Sequence, residues 1–155
     1  MERCKTKNFK FVGANELVDS EAPASKIHRY LKQQVEVQND LEEFYRLPSD
    51  VAEHLSHFYG YRAFEIAELA KERGNARLHS RLPYLEVEIP YCIREEMAVR
   101  LSDIMMRRLR LGVTDTSLAI ECLGKCVHLM KDELQWDVMH CHNVGLDCID
   151  DSIGN

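Results

Sequence analysis

The chain changes its hydrophobic period once. Lys7-Asn8-Phe9-Lys10-Phe11-Val12 alternates, with Phe9 and Phe11 on one face, and Gly13 follows. That period of two predicts a strand. No second strong strand signal appears, and a lone strand has nowhere to place its backbone donors and acceptors. The segment is therefore expected either to fray or to belong to a sheet outside this chain.

From Pro23 onward the period is helical. Ile27, Tyr30 and Leu31, then Val37, Leu41, Phe44 and Tyr45, predict one long helix or two short ones broken near residues 36–39. Leu47-Pro48-Ser49-Asp50 stops that run, with Ser49 or Asp50 expected to cap the next helix. Val51, Leu55 and Phe58 form its expected buried side, and Gly60 its end. Residues 62–73 read as an amphipathic helix with Ala63, Ile66, Ala67 and Ala70 inside and Glu65, Glu68 and Lys71 outside, stopped by Gly74 and Asn75. Pro83 and Pro90 make residues 82–91 an expected irregular passage.

Residues 94–108 then read as one strong helix with Met97, Leu101, Ile104 and Met105 facing inward. Glu96 with Arg100, and Asp103 with Arg107, are i,i+4 pairs of the favoured orientation. Gly112 is an expected break, and Thr114, Asp115 or Thr116 an expected cap. Ile120, Leu123, Val127, Met130 and Leu134 supply the next stripe. Asp137 is placed to cap a short last helix over residues 138–148, before an acidic tail. The predicted fold is all-α: a compact bundle of about six helices, with an N-terminal extended segment left over from a preceding domain.

Composition narrows the functional classes. The 155 residues suit one domain, and 45% apolar with 30% charged residues is an ordinary globular mixture. A net charge of −6 argues against nucleic acid as a partner. No apolar run approaches the ~20 residues that span a bilayer, so no direct membrane insertion by this segment is expected. The basic residues among the first ten are followed by no apolar stretch, so no secretory signal is expected. Six unevenly spaced cysteines read as free thiols rather than a disulfide framework.

Three segments carry a family resemblance. The first is Val51-Ala52-Glu53-His54-Leu55, then Tyr59-Gly60 and Ala63-Phe64-Glu65-Ile66-Ala67. The second is Leu82-Pro83-Tyr84-Leu85-Glu86-Val87-Glu88, then Tyr91-Cys92-Ile93-Arg94-Glu95-Glu96-Met97-Ala98. The third is Asp103, Arg107-Arg108-Leu109-Arg110-Leu111, then Met130, Glu133-Leu134 and Trp136. In order and spacing these resemble the C-terminal helical cap domain of FAD-dependent glycerol-3-phosphate dehydrogenases, over roughly residues 4–137. Leu109 departs from the family's usual Thr, Pro90 stands where proline is unusual, and residues 36–46 look longer than in typical members.

The resemblance implies residues 1–20 as the tail of a preceding FAD/substrate domain with its linker, 21–149 as the cap domain, and 150–155 as a loose tail. Because the likeness begins almost at Met1, more chain is expected upstream. The parent reaction it implies is oxidation of glycerol 3-phosphate to dihydroxyacetone phosphate, with electrons passing through FAD to a quinone or, in oxidase relatives, to oxygen. It places the parent at the mitochondrial inner membrane if eukaryotic and at the cytoplasmic membrane if bacterial. The partner it implies is the missing FAD/substrate domain, with no cofactor held by this chain. The sequence agrees, since no Gly-x-Gly-x-x-Gly opens a βαβ unit here. A stand-alone helical interaction module is the alternative reading.

No catalytic, cofactor-binding or metal residue is expected. The structural and domain-interface candidates are Tyr84, Tyr91, Arg94, Glu96, Asp103, Arg107, Arg108 and Arg110. Arginines in such a cluster clamp a phosphate or an acidic patch, but internal ion pairing is the favoured reading, with at least one pair crossing to the absent domain. Glu86, Glu88, Glu95 and Glu96 lack any reacting group beside them and read as structural, with Arg94 and Arg100 as partners. Cys122, Cys126, His128, His140, Cys141, His142 and Cys148 lack the paired spacings of a zinc site, and Cys122 with Cys126 fits a helix stripe of small hydrophobes.

Overall fold

The computed structural model describes residues 23–137, with side chains from Leu31 onward. The strand expected at residues 7–12, the helix expected at 138–148 and the tail lie outside the described residues. Within them the fold is all-α, as the periodicity predicts. The six helices are α1 (Pro23–Tyr45), α2 (Ser49–Tyr59), α3 (Ala63–Arg73), α4 (Glu88–Glu96), α5 (Leu111–Thr114) and α6 (Thr116–Leu134), with a π-helical segment at Asp103–Arg108. The one β-type pairing among described residues is an antiparallel bridge between Arg77 and Leu85. The chain divides into two compact units, Met1–Glu68 and Leu69–Asn155.

In the first unit α1 is a single unbroken helix that packs on α2. Val37 and Leu41 of α1 and Val51, Ala52 and Leu55 of α2 are buried. Each large side chain among them contributes about 1.5–3 kcal/mol through removal from water. The expected caps Ser49 and Asp50 do not cap. Pro48 takes that position with extended backbone, its carbonyl accepting from Val51 and Ala52 N–H, and Ser49 Oγ donates instead to Glu42 at 2.8 Å. Phe58, expected inside, is half exposed, while His54 is buried and stacks on it at 4.8 Å between ring centroids. Gly60 ends α2 at φ 56°, where a Cβ would be strained.

Helix α3 keeps its expected faces: Ala63, Ile66, Ala67 and Ala70 are buried, and Glu65, Glu68 and Lys71 are exposed. Gly74 stops it at φ 103°.

The second unit corrects three readings. Pro90 lies within the first turn of α4, where the backbone N–H it lacks would have had no intrahelical partner. Residues 94–108 are two elements rather than one helix. The chain turns left-handed at Met97 (φ 58°), and Met97 is 83% exposed instead of facing inward. Helix resumes at Leu101 and widens into the π segment, closed by Leu109 N–H donating to Ile104 O at 2.9 Å. Gly112 does not break the chain but sits inside α5, where a Cβ would overlap the Met106 Sδ.

Helix α6 starts as expected, with Asp115 accepting from Leu118 N–H at 3.0 Å. Its buried stripe is Leu118, Ala119, Cys122, Cys126 and Met130, whereas Ile120 is 49% exposed. These residues join Leu78, Ile89, Cys92, Leu101, Ile104 and Leu109 in one apolar core. Leu109, the departure from the family's Thr, is therefore a core residue at 1% exposure.

Candidate functional site

The eight interface candidates fall into two networks and three separate positions, all in the second unit. The first network joins α4 and α6. Arg94 Nε bonds Glu133 Oε1, and Arg73 Nη1 lies 3.4 Å from Glu133 Oε2. Burial pushes the Glu133 carboxyl up, but the hydrogen bonds and charges of Arg94 and Arg73 outweigh it and hold it below the usual range. Arg94 is read from the sequence as a partner, with Arg100, for Glu86, Glu88, Glu95 and Glu96; its partner is instead Glu133, 39 positions away.

The second network frames the turn after α4. Arg108 Nη2 donates to Glu96 O at 2.9 Å, and its Nε lies 2.7 Å from Glu96 Oε2, an ion pair without aligned hydrogen-bond geometry. Asp103 Oδ2 accepts from Val99 N–H at 3.2 Å and Arg100 N–H at 2.9 Å, while its Oδ1 accepts from Arg107 Nη1 at 2.8 Å. Burial raises the Asp103 carboxyl, yet these donors and the Arg107 and Arg100 charges bring it below the ordinary range. The expected Asp103–Arg107 pair is present. Glu96 pairs with Arg108 rather than with Arg100.

Backbone bonds to Cys92 close the turn. Met97 and Ala98 N–H both reach Cys92 O, and Ala98 is buried as a plug. The residues on either side of it, Met97 and Val99, are 83% and 59% exposed. The turn is thus an apolar knuckle whose backbone donates to the Asp103 carboxylate and accepts from the Arg108 guanidinium.

Of the remaining candidates, Tyr91 is buried in α4, and Tyr84 is half buried against the core, its phenol pushed up by burial and by the Glu88 charge. Arg110 is exposed and left-handed at φ 56°, its carbonyl receiving Val113 and Thr114 N–H at the start of α5.

Three structural residues, Glu88, Lys125 and Glu121, lacked a clear signal. Glu88 is fully buried at the first position of α4, and its Oε1 accepts from Leu85 N–H at 2.7 Å while its own N–H donates to Leu85 O at 3.2 Å. This is the reciprocal logic of a capping box. Lys125 of α6 reaches Glu86 at 2.9 Å and Arg77 O at 3.3 Å, and Glu121 binds both His79 and Arg81, so α6 holds the loop before α4 at two points. Cys92, Cys122 and Cys126 are buried free thiols, and burial raises Cys122.

Among the described residues no group of three or more His, Cys, Asp or Glu side chains is placed to hold a metal ion. His140, Cys141, His142 and Cys148 lie outside them. No described helix is long and apolar enough to cross a membrane.

Residues 4–141 match the model of a family described as the C-terminal domain of alpha-glycerophosphate oxidase. A probable mitochondrial glycerol-3-phosphate dehydrogenase of Dictyostelium discoideum is 35% identical over 134 residues, which is 86% of this chain and 18% of the relative. A probable glycerol-3-phosphate dehydrogenase of Encephalitozoon cuniculi is 34% identical over 103 residues, 66% of this chain and 17% of the relative. The human mitochondrial glycerol-3-phosphate dehydrogenase is 41% identical over 103 residues, 63% of this chain and 14% of the relative. The chain thus spans less than a fifth of the length of these relatives. No solved structure matches it significantly.

Proposed function

Because the chain belongs to the family of C-terminal domains of alpha-glycerophosphate oxidase, we propose that it is the non-catalytic helical domain of an FAD-dependent glycerol-3-phosphate dehydrogenase. It packs on the flavin-bearing body and stabilises it. The parent enzyme oxidises glycerol 3-phosphate to dihydroxyacetone phosphate and passes the electrons to a quinone. Its place is the mitochondrial inner membrane, in keeping with the mitochondrial relatives.

The observation that carries the reading is how the motif carboxylates are used. Glu86 is paired with Lys125, Glu88 with Leu85 N–H, Glu96 with Arg108, Asp103 with Arg107 and Glu133 with Arg94. General acid–base work needs a carboxyl in a cleft beside a reacting group. Here the carboxylates are bound into the frame of the fold. The seven glycines form no Gly-x-Gly-x-x-Gly, and the described residues contain no strand leading into a helix that would carry a dinucleotide pyrophosphate. On that ground FAD is assigned to the body rather than to this chain.

The purified chain tests the division of labour. Supplied with FAD, glycerol 3-phosphate and a soluble quinone, it is expected to gain no bound flavin and to reduce no quinone above the blank. Saturable flavin binding with turnover would overturn the proposal.

A further inference from the structure

Met97 occupies a conformation that favours glycine. At φ 58° an L-residue other than Gly or Asn costs roughly 1–2 kcal/mol. Of the four left-handed non-glycine residues described, Arg46, Met97, Arg110 and Gln135, it is the apolar one. Its side chain is 83% exposed, so it recovers little of that cost within the chain. Val99, two residues on, is 59% exposed. Between them buried Ala98 pins the backbone, and the Arg108 and Asp103 bonds lock the turn from the far side.

The knuckle has a cationic rim. Arg100 and Arg107 are exposed and tied to the same Asp103 carboxylate, one through its backbone and one through its guanidinium. Arg110 is exposed two residues beyond Arg108, which grips Glu96 beside Met97. Residues 95–110 hold four arginines against Glu95, Glu96 and Asp103, a small positive excess in a chain of net charge −6. Apolar anchors on a fixed backbone with a charged rim have the anatomy of a protein contact.

We propose that the Met97–Val99 knuckle, with Arg100, Arg107 and Arg110 as its rim, is the face by which this domain docks on the flavin-bearing body. It meets an apolar patch there that is edged with carboxylates. This rests on the function proposed above and assigns it a surface. The occupant follows from the charge of the rim and from the relatives, in which more than four-fifths of the polypeptide lies outside the matched region. A fixed hydrogen-bonded turn suits a shaped protein surface better than a fluid lipid one, and the net negative charge of the chain opposes an anionic membrane.

Methionine oxidation reads the docking directly, because sulfoxide formation follows exposure. The isolated chain is compared with the full-length Dictyostelium discoideum relative carrying this chain in place of its matched segment. Under dilute peroxide Met97 is expected to oxidise readily in the isolated chain and about tenfold more slowly in the assembled enzyme. Met97→Gly adds a test that a structural role would not pass. It should raise the melting temperature of the isolated chain by relieving the left-handed strain, yet lower the temperature at which the assembled enzyme releases flavin. Equal oxidation rates in the two states, or Met97→Gly shifting both temperatures upward, overturn the inference while leaving the function above standing. An assembled enzyme that loses flavin with the unaltered chain in place counts against both. Protection of Met97 by phosphatidylcholine–phosphatidylserine vesicles, without protection in the assembled enzyme, overturns the inference by assigning the face to lipid.

Discussion

Replacing Asp103 by alanine tests the frame around the knuckle. The change removes the acceptor of two backbone N–H groups, Val99 and Arg100, and the partner of Arg107. A carboxylate serving backbone donors in this way is equivalent to a helix cap, and its loss costs about 1–2 kcal/mol. The Arg107 pair adds only a few tenths, because that guanidinium is 70% exposed and screened. The sum is about 1.5–2.5 kcal/mol, which for a domain of this size lowers the melting temperature by roughly 3–10 °C. Asp103→Asn keeps one acceptor oxygen and should lose about half as much.

The pH dependence fixes the sign independently. The folded carboxyl titrates below its unfolded value. Its stabilisation is therefore fully present above the unfolded pKa of about 3.9 and is lost as pH falls through the lower folded value. The gap in unfolding free energy between the unaltered chain and Asp103→Ala, measured by urea titration with circular dichroism, should stay constant from about pH 5 to 8 and narrow in stronger acid. An Asp103→Ala chain that melts within about 1 °C of the unaltered one, or a gap that widens in acid, refutes the reasoning.

Glu133→Gln should cost about 1 kcal/mol near neutral pH, since Arg73 and Arg94 are both about half exposed, and the deficit should likewise fade in acid; urea unfolding at two pH values checks it. Leu55→Ala is expected to destabilise by about 2–5 kcal/mol and Phe58→Ala by less than about 1, so equal losses would restore Phe58 to the buried face. In the native chain Cys92, Cys122 and Cys126 should resist a thiol reagent at neutral pH and react after unfolding, followed residue by residue with mass spectrometry; rapid native labelling of Cys122 would contradict its burial.

Legibility in the sequence followed the punctuation of the chain. The stops after α2 and α3 were readable because Gly60 and Gly74 provide the left-handed backbone those ends require. Asp115 was readable because its oxygen reaches the Leu118 N–H from its own helix. The break at Met97 was not, because neither Gly nor Pro marks it. The backbone on either side of it is bonded by side chains further along the chain, Asp103 accepting from Val99 N–H and Arg108 donating to Glu96 O. Pro90 misled because only its place relative to the helix start decides whether it breaks or fits. On α6 the reading of Cys122 and Cys126 as small hydrophobes on a helix stripe holds, since both fill the core, whereas Ile120, expected on the buried stripe, is half exposed.

The candidate interface divides along the same line. Asp103–Arg107 follows from helical spacing. Glu96–Arg108 and Arg94–Glu133 join residues 12 and 39 apart, which no local pattern links. Glu88 looks like any surface glutamate in the sequence, yet it is buried with its carboxylate accepting from Leu85 N–H.

The role proposed for this helical domain is to steady a flavin-bearing body that it does not itself contain. The most direct measurement adds the purified chain in increasing amounts to the flavin-bearing portion of the Dictyostelium discoideum relative and follows the temperature at which flavin fluorescence is released. The expected result is a rise that saturates at one chain per body. A release temperature that stays constant through a large excess of chain would contradict it.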